Sequence, residues 1–185
     1  PFLRKNINVQ VKAALAEKAA QLVCDGDIIY IESGTTLINM ASKITAQNVT
    51  AVTSDVYIAA ELSRSKNITT VSTGGYVLGA SALMVGDIAL AALQNLHFNK
   101  CFTSPVGITK DGRVTYFNIQ ASEIRKRVFG ASQQIILLAE QKKFDMSAFT
   151  QDLWLCDVDV LITDKELADG EYPIAEKAQI LPVTV

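Results

Sequence analysis

An α/β fold, with helices on both faces of a parallel sheet in a Rossmann-like three-layer arrangement, is what this sequence predicts. Two features carry that expectation. Six short runs are rich in β-branched residues and almost continuously apolar, as strands buried on both faces of a parallel sheet are. Stretches of helical period lie between them, and such alternation covers a sheet on both sides.

The first helix is predicted over VQVKAALAEKAAQLV (9–23), where Ala and Leu recur at helical spacing. Lys12, Glu17, Lys18 and Gln21 fall on its other face, and CDGD stops it. IIYI (28–31) is the first strand and 37–44 the helix after it; VTAVT (49–53) is followed by a helix over 55–65. NITTVS (67–72) precedes a helix over 81–96, and KCFTSPVG (100–107) a helix over 119–132. QIILLA (134–139) and DVLIT (159–163) complete the strands. The pattern leaves room for a small second lobe near 81–96 without dictating one. There is no internal repeat, low-complexity tract or Pro/Gly/Ser-rich linker.

A chain of 185 residues, 49% of them hydrophobic, suits one compact domain. The formal charge of −2 without a block of like charges gives no footprint for nucleic acid or an anionic membrane surface. No apolar run approaches the roughly 18 residues of a membrane span, and no basic-then-apolar signal opens the chain, so a cytoplasmic protein is expected. Cys24, Cys101 and Cys156 are odd in number, far apart and set among apolar residues, which predicts reduced core thiols rather than disulfides or a zinc site. The single histidine, His97, leaves little material for metal sites or catalytic triads and is expected at a helix end or the surface. Neither G-x-G-x-x-G nor G-x-x-x-x-G-K-[ST] occurs, and no cofactor or metal is predicted. The chain opens on Pro1 rather than Met, as a fragment with something upstream would.

In open α/β sheets ligands sit beyond the carboxyl ends of the strands. Those ends are followed here by ESGTT (32–36), TSD (53–55), STGG (72–75) and SPVGITKDG (104–112). Each turn alone is explained by a helix cap, such as Ser54 or Asp55, or by a tight bend at Gly74 and Gly75. Together, at one sheet edge, they predict a phosphate or sugar site, because a phosphate needs converging N–H and O–H donors without side-chain bulk. Lys142 or Lys143, after the fifth strand at the same edge, would supply the cation.

The ordered set DGDIIYIESGTT, TAVTSDVYIAAEL, STGGYVLGASALMVGDIA, NKCFTSPVGIT, ASEIRK and LLAEQKKF resembles the C-terminal sensor domain of the DeoR family of bacterial transcriptional regulators, over about residues 4–165. The resemblance implies a fold shared with ribose-5-phosphate isomerase and CoA transferases, whose isomerase pocket binds a phosphorylated sugar or sugar alcohol. It also implies a homo-oligomer, dimer or tetramer, and operator DNA bound only through a helix-turn-helix domain missing from this chain. Residues 1–8 would be the connector and 9–185 the effector-binding domain. The family's D-S-G-T-T falls on Glu32, Ser33, Gly34, Thr35 and Thr36, its T-N on Thr53 and Ser54, and its G-G on Gly74 and Gly75. Its A-D-S-S-K-F falls on 139–144, so Lys143 becomes the matching cation and Lys142 a departure. Glu32 and Glu140 each stand for a usual Asp, Ser104-Pro105 for a usual Ala-Asp, and 121–125 for E-A-E-x-K with Arg125 in place of Lys.

The expected phosphate site is therefore Ser33, Gly34, Thr35, Thr36 and Lys143, with Glu32, Thr53, Ser54, Gly74, Gly75, Gly107, Glu123 and Arg125 around the sugar. The function expected is that of a repressor's sensor and oligomerisation domain, not an enzyme. An aldose–ketose phosphate isomerase on the same fold is the alternative. Proton transfer there needs a carboxylate base, and SPVGI stands where that family carries D-G-A-D-E. A ligand-free assembly domain is the third class, and would need none of the converging turns.

Overall fold

The computed structural model describes residues 8–184, so residues 1–7, nearly all of the expected connector, lie outside the described part. A seven-stranded sheet runs through the molecule. Its strands are β1 (Ile28–Ile31), β2 (Val49–Thr53), β3 (Ile68–Ser72), β6 (Phe98–Thr103), β9 (Ser132–Ala139), β11 (Val160–Thr163) and β12 (Gln179–Pro182). Their order is β12-β11-β9-β6-β1-β2-β3, and every neighbouring pair is parallel. All carboxyl ends consequently open on one edge.

Two hydrophobic layers flank the sheet because side chains alternate along each strand. Ile29, Ile31, Phe102, Ile136 and Leu138 pack in one cluster with α1 (Val9–Ala20), α2 (Thr35–Ala41) and α3 (Val56–Leu62). Tyr30, Cys101, Ile135 and Leu137 face the other way, against α4 (Asp87–Leu93) and α5 (Ser122–Gly130). α1 delivers Leu15, Ala16, Ala19 and Ala20 at helical spacing to the first layer. α3 starts at Asp55, whose carboxylate accepts from the N–H groups of Tyr57 and Ile58.

The strands at 28–31 and 49–53 coincide with expectation, and β11 is buried throughout. The expected helix over 81–96 does not form as one piece. Residues Tyr76–Leu78 and Leu83–Val85 are instead β4 and β5, an antiparallel hairpin over the tight 79–81 turn, and only Asp87–Leu93 is helical. Leu83, Val85, Ala89 and Leu93 are all buried, a pattern that serves either period. Gly86, at φ 93°, breaks the helix; a Cβ there would come within 2.5 Å of the Tyr76 ring.

KCFTSPVG also divides. β6 ends at Thr103, and Gly107–Ile108 form β7 in a separate antiparallel sheet with β8 (Arg113–Tyr116) and β10 (Thr150–Trp154). Pro105 has no N–H with which to continue a ladder. Among the thiols only Cys101 is buried; Cys24 and Cys156 are exposed, and all three are free. The apolar neighbours of Cys156 misled here: in the 155–157 turn it is Leu155 that turns inward. His97 is exposed between α4 and β6. No helix among the described residues is long and apolar enough to cross a membrane.

Phe102 is fully buried in a central strand, so Phe102→Ala should lower stability by about 3–5 kcal/mol. Ile88→Ala, at a side chain 70% exposed, should change it by no more than about 0.5 kcal/mol. Urea unfolding of both variants measures the contrast.

Candidate functional site

A cavity of about 730 Å³ lies over the carboxyl ends of β1, β6 and β9. The turn after β1 and the start of α2 line it with Glu32, Ser33, Gly34, Thr35, Thr36 and Ile38. Ser104, Pro105 and Val106 line it after β6, and Glu140, Lys142, Lys143 and Met146 after β9. The antiparallel sheet and α5 add Tyr116, Phe117, Asn118 and Arg125; α1 adds Lys12, and Asp55, Ser81 and Leu83 close the rim. The five residues expected to hold phosphate thus share one cavity.

The first helical bond of α2 runs from the Ile38 N–H to the Gly34 carbonyl, leaving the N–H groups of Thr35, Thr36 and Leu37 without acceptors inside the helix. Gly34 sits at φ 156°, a conformation that residues with side chains rarely adopt, and an added Cβ would meet only the Leu37 side chain, at 3.9 Å. The Ser33 hydroxyl donates to Asp55 at 2.5 Å. Burial pushes the Asp55 carboxyl up, against the Ser33 hydrogen bond and the cap N–H groups.

The Lys143 ammonium donates to the Ser104 hydroxyl at 2.8 Å, and that hydroxyl donates to the Leu138 carbonyl at 2.9 Å. Lys142 instead pairs with Glu140 at 2.9 Å, and Asn8 donates to the same carboxylate oxygen. The two lysines are therefore held differently by their surroundings. The segment beyond them is braced by Asp145, which at φ 59° accepts from the Tyr172 hydroxyl at 2.8 Å.

The opposite wall is a buried charge cluster. Arg125 donates through Nε to Asp152 at 2.6 Å and through Nη2 to the Asn118 carbonyl at 2.8 Å. Its Nη1 lies 3.4 Å from Glu32, and its guanidinium sits 4.2 Å from the centre of the Tyr116 ring. Thr103 donates to Glu32 at 2.5 Å, and the Tyr116 hydroxyl lies 3.0 Å from Thr103 Oγ1. Because the Thr103 hydroxyl directs its one hydrogen to Glu32, Tyr116 is the donor in that last contact. Burial drives the Glu32 carboxyl upward, opposed by Arg125 and then by Thr103. Burial works against the Arg125 charge, but Glu32 and Asp152 more than compensate and hold it above its ordinary value.

The remaining expected sugar residues are not among those lining the cavity. Thr53 donates to the Ile31 carbonyl, and Ser54 shares a hydrogen bond with Tyr30, so both tie strand ends together. A Cβ on Gly75, at φ 99°, would come within 2.4 Å of the Val85 carbonyl; neighbouring Gly74 completes the turn into the β4–β5 hairpin. On Gly107 a Cβ would come 2.5 Å from the Met146 carbonyl, so its bareness admits the segment carrying Met146. Glu123 is exposed: two residues along a helix put it on the face away from Arg125. The acid that holds Arg125 is Asp152, on β10. Lys12, expected on a solvated face, is 4% exposed, because that face of α1 meets the cavity. Tyr116, Asn118 and Asp152 carried no motif signal, and Asp55 signalled only a cap.

A family model described as the DeoR C terminal sensor domain matches residues 7–165. The chain is 35% identical over 177 residues to an uncharacterized HTH-type transcriptional regulator, YulB, of Bacillus subtilis, covering 96% of this chain and 69% of that protein. It is 28% identical to the HTH-type transcriptional regulator GolR of Listeria innocua, over 96% of this chain and 70% of GolR. With the L-fucose operon activator of Haemophilus influenzae the identity is 26%, over 97% and 72%. Among solved structures, ribose 5 phosphate isomerase A from Neisseria gonorrhoeae superposes with TM-score 0.54 at 18% identity, covering 75% of this chain and 54% of the isomerase. eIF2B delta from Chaetomium thermophilum gives 0.56 at 20% identity, over 90% and 61%. These two likenesses establish the α/β fold expected from the sequence, and the chain spans only 54% and 61% of those structures' lengths.

The Asp152 side chain is fully buried against Arg125, so Asp152→Ala, which removes one partner of a buried pair, should cost about 3–5 kcal/mol in thermal or urea unfolding. Glu32 gives a pH signature. Because its native carboxyl titrates above the ordinary 4.5, its contribution to stability is fully present below pH 4.5 and is lost as pH rises through the native value. In melting curves taken across pH, Glu32→Gln should flatten that fall, leaving the part contributed by Asp55.

Proposed function

The chain belongs to the DeoR family of transcriptional regulators as a C-terminal sensor domain, and on that premise we propose that its cavity binds a phosphorylated sugar or sugar alcohol that controls operator recognition. The observation that carries this reading is the meeting of the Ser33–Thr36 turn and Lys143 in one cavity. The turn offers backbone N–H groups and hydroxyls to a dianion, and Lys143 neutralises it. Glu32 and Arg125, with Tyr116 and Asn118, face the sugar, while Thr53, Ser54 and Gly107 hold that wall from behind.

Residues 9–185 are the sensor, and 1–8 lead from a helix-turn-helix domain that grips the DNA in the cytoplasm. The charge of −2 suits that division, since phosphate contacts come from Lys and Arg on the DNA-binding part. The domain assembles as a dimer or tetramer and acts as a repressor. The ligand must favour one arrangement of the oligomer, and a coupling of about 1–3 kcal/mol would change operator affinity some 5- to 150-fold.

The regulator names of the relatives support sensing over catalysis. For an isomerase, Glu32 is the best placed carboxylate, yet Arg125 and Thr103 already engage it. That engagement suits holding a hydroxyl better than removing a carbon-bound proton.

A panel of pentose, hexose and hexitol phosphates should contain a member that stabilises the protein by about 2.7 kcal/mol at one hundred times its Kd. Lys143→Ala should weaken that binding while leaving the ligand-free melting temperature nearly unchanged. No thermal shift with any member at millimolar concentration would refute the sensor reading.

A further inference from the structure

The two ends of the cavity differ in charge and in hydrogen-bonding polarity. Along β1, Ile29 and Ile31 face the α1–α3 layer while Tyr30 faces the other, so alternation turns Glu32 toward Tyr30's side. There it meets Thr103, Tyr116 and Arg125. Lys12, Thr36 and Ile38 line the cavity from α1 and α2, on the first side.

At the Glu32 end one guanidinium lies between two carboxylates, and its shorter contact is with Asp152, 2.6 Å against 3.4 Å to Glu32. Asp152 does not line the cavity, whereas Glu32 does; Asp55 stands at the rim beside Ser33 of the phosphate turn. Arg125 is further occupied by the Asn118 carbonyl and the Tyr116 ring. One guanidinium against two carboxylates leaves this end negative overall, and the Glu32 oxygens accept one side-chain donor each, Arg125 at Oε1 and Thr103 at Oε2, so a carboxylate with about four acceptor sites keeps room for ligand hydroxyls.

We propose that Glu32 is the specificity-determining residue of the cavity: it accepts hydrogen bonds from ligand hydroxyls remote from the phosphate, and its charge excludes a second phosphate from that end. The ligand class is thus a sugar or polyol monophosphate with an uncharged, hydroxyl-bearing far end, and bisphosphates are rejected. Rejection works by like charge in a buried setting, a repulsive element added to the attractive ones. The inference rests on the phosphorylated-ligand reading above and narrows it.

Matched pairs test it: fructose 6-phosphate with fructose 1,6-bisphosphate, and ribose 5-phosphate with ribose 1,5-bisphosphate, titrated calorimetrically into the native chain, Glu32→Gln and Glu32→Asp. In at least one pair the monophosphate should bind the native chain at least about tenfold more tightly, the size expected of one like-charge contact. Glu32→Gln should bring the two members within about threefold while still binding the monophosphate, and Glu32→Asp, which keeps the charge, should keep the preference. A bisphosphate bound as tightly as its monophosphate by the native chain, or a preference unchanged in Glu32→Gln, overturns this inference and leaves the phosphorylated-ligand reading standing. Binding of neither member of either pair overturns this inference, and the phosphorylated-ligand reading then falls only if the wider panel of pentose, hexose and hexitol phosphates fails as well.

Discussion

The guanidinium of Arg125 joins parts of the chain that are far apart in sequence. It lies on α5, reaches Glu32 at the end of β1 and Asp152 on β10, and covers Tyr116 on β8. A charge buried this deeply persists only when paired and hydrogen-bonded. The antiparallel sheet is consequently fixed against the parallel one by a contact that also forms a wall of the cavity. Stability and site geometry are the same interaction there, which is why removing either carboxylate is felt beyond the cavity.

The parallel sheet supplies the rest of the frame. With every strand pointing one way, the turns after β1, β6 and β9 converge; small residues in the first of them leave space that larger ones would fill, and the last brings the lysines. The two layers beneath are unequal in role. α1–α3 give apolar backing, while the α4–α5 side also carries the hydrogen-bonded run from Tyr116 through Thr103 to Glu32. The C-terminal segment contributes from outside through Tyr172, which holds Asp145 and so the loop of Lys143.

Much of this architecture was legible along the chain. Apolar β-branched runs gave the central strands nearly to the residue at 28–31 and 49–53, because burial on both faces leaves an unbroken signal. The run from 81 to 96 was not legible, since Leu83, Val85, Ala89 and Leu93 fit a helix as well as a strand followed by a helix. That the Ser33–Thr36 turn and Lys143 line one cavity was legible, because small residues and a cation at strand ends are local signals. Glu123 and Arg125 are neighbours in sequence, yet only Arg125 enters the cavity, and nothing local to Lys12 marks it as buried.

The sequence by itself determined the fold class and the sharing of one sheet edge by the Ser33–Thr36 turn and Lys143. Each follows from periodicity or from residue size, which are properties of short stretches. Tertiary structure alone decided that Asp152 rather than Glu123 holds Arg125, that Lys142 goes to Glu140 while Lys143 goes to Ser104, and that Glu32 faces the charged wall. Those pairings depend on where side chains from separate strands and helices meet, and a buried charge takes whichever partner the packing brings within reach.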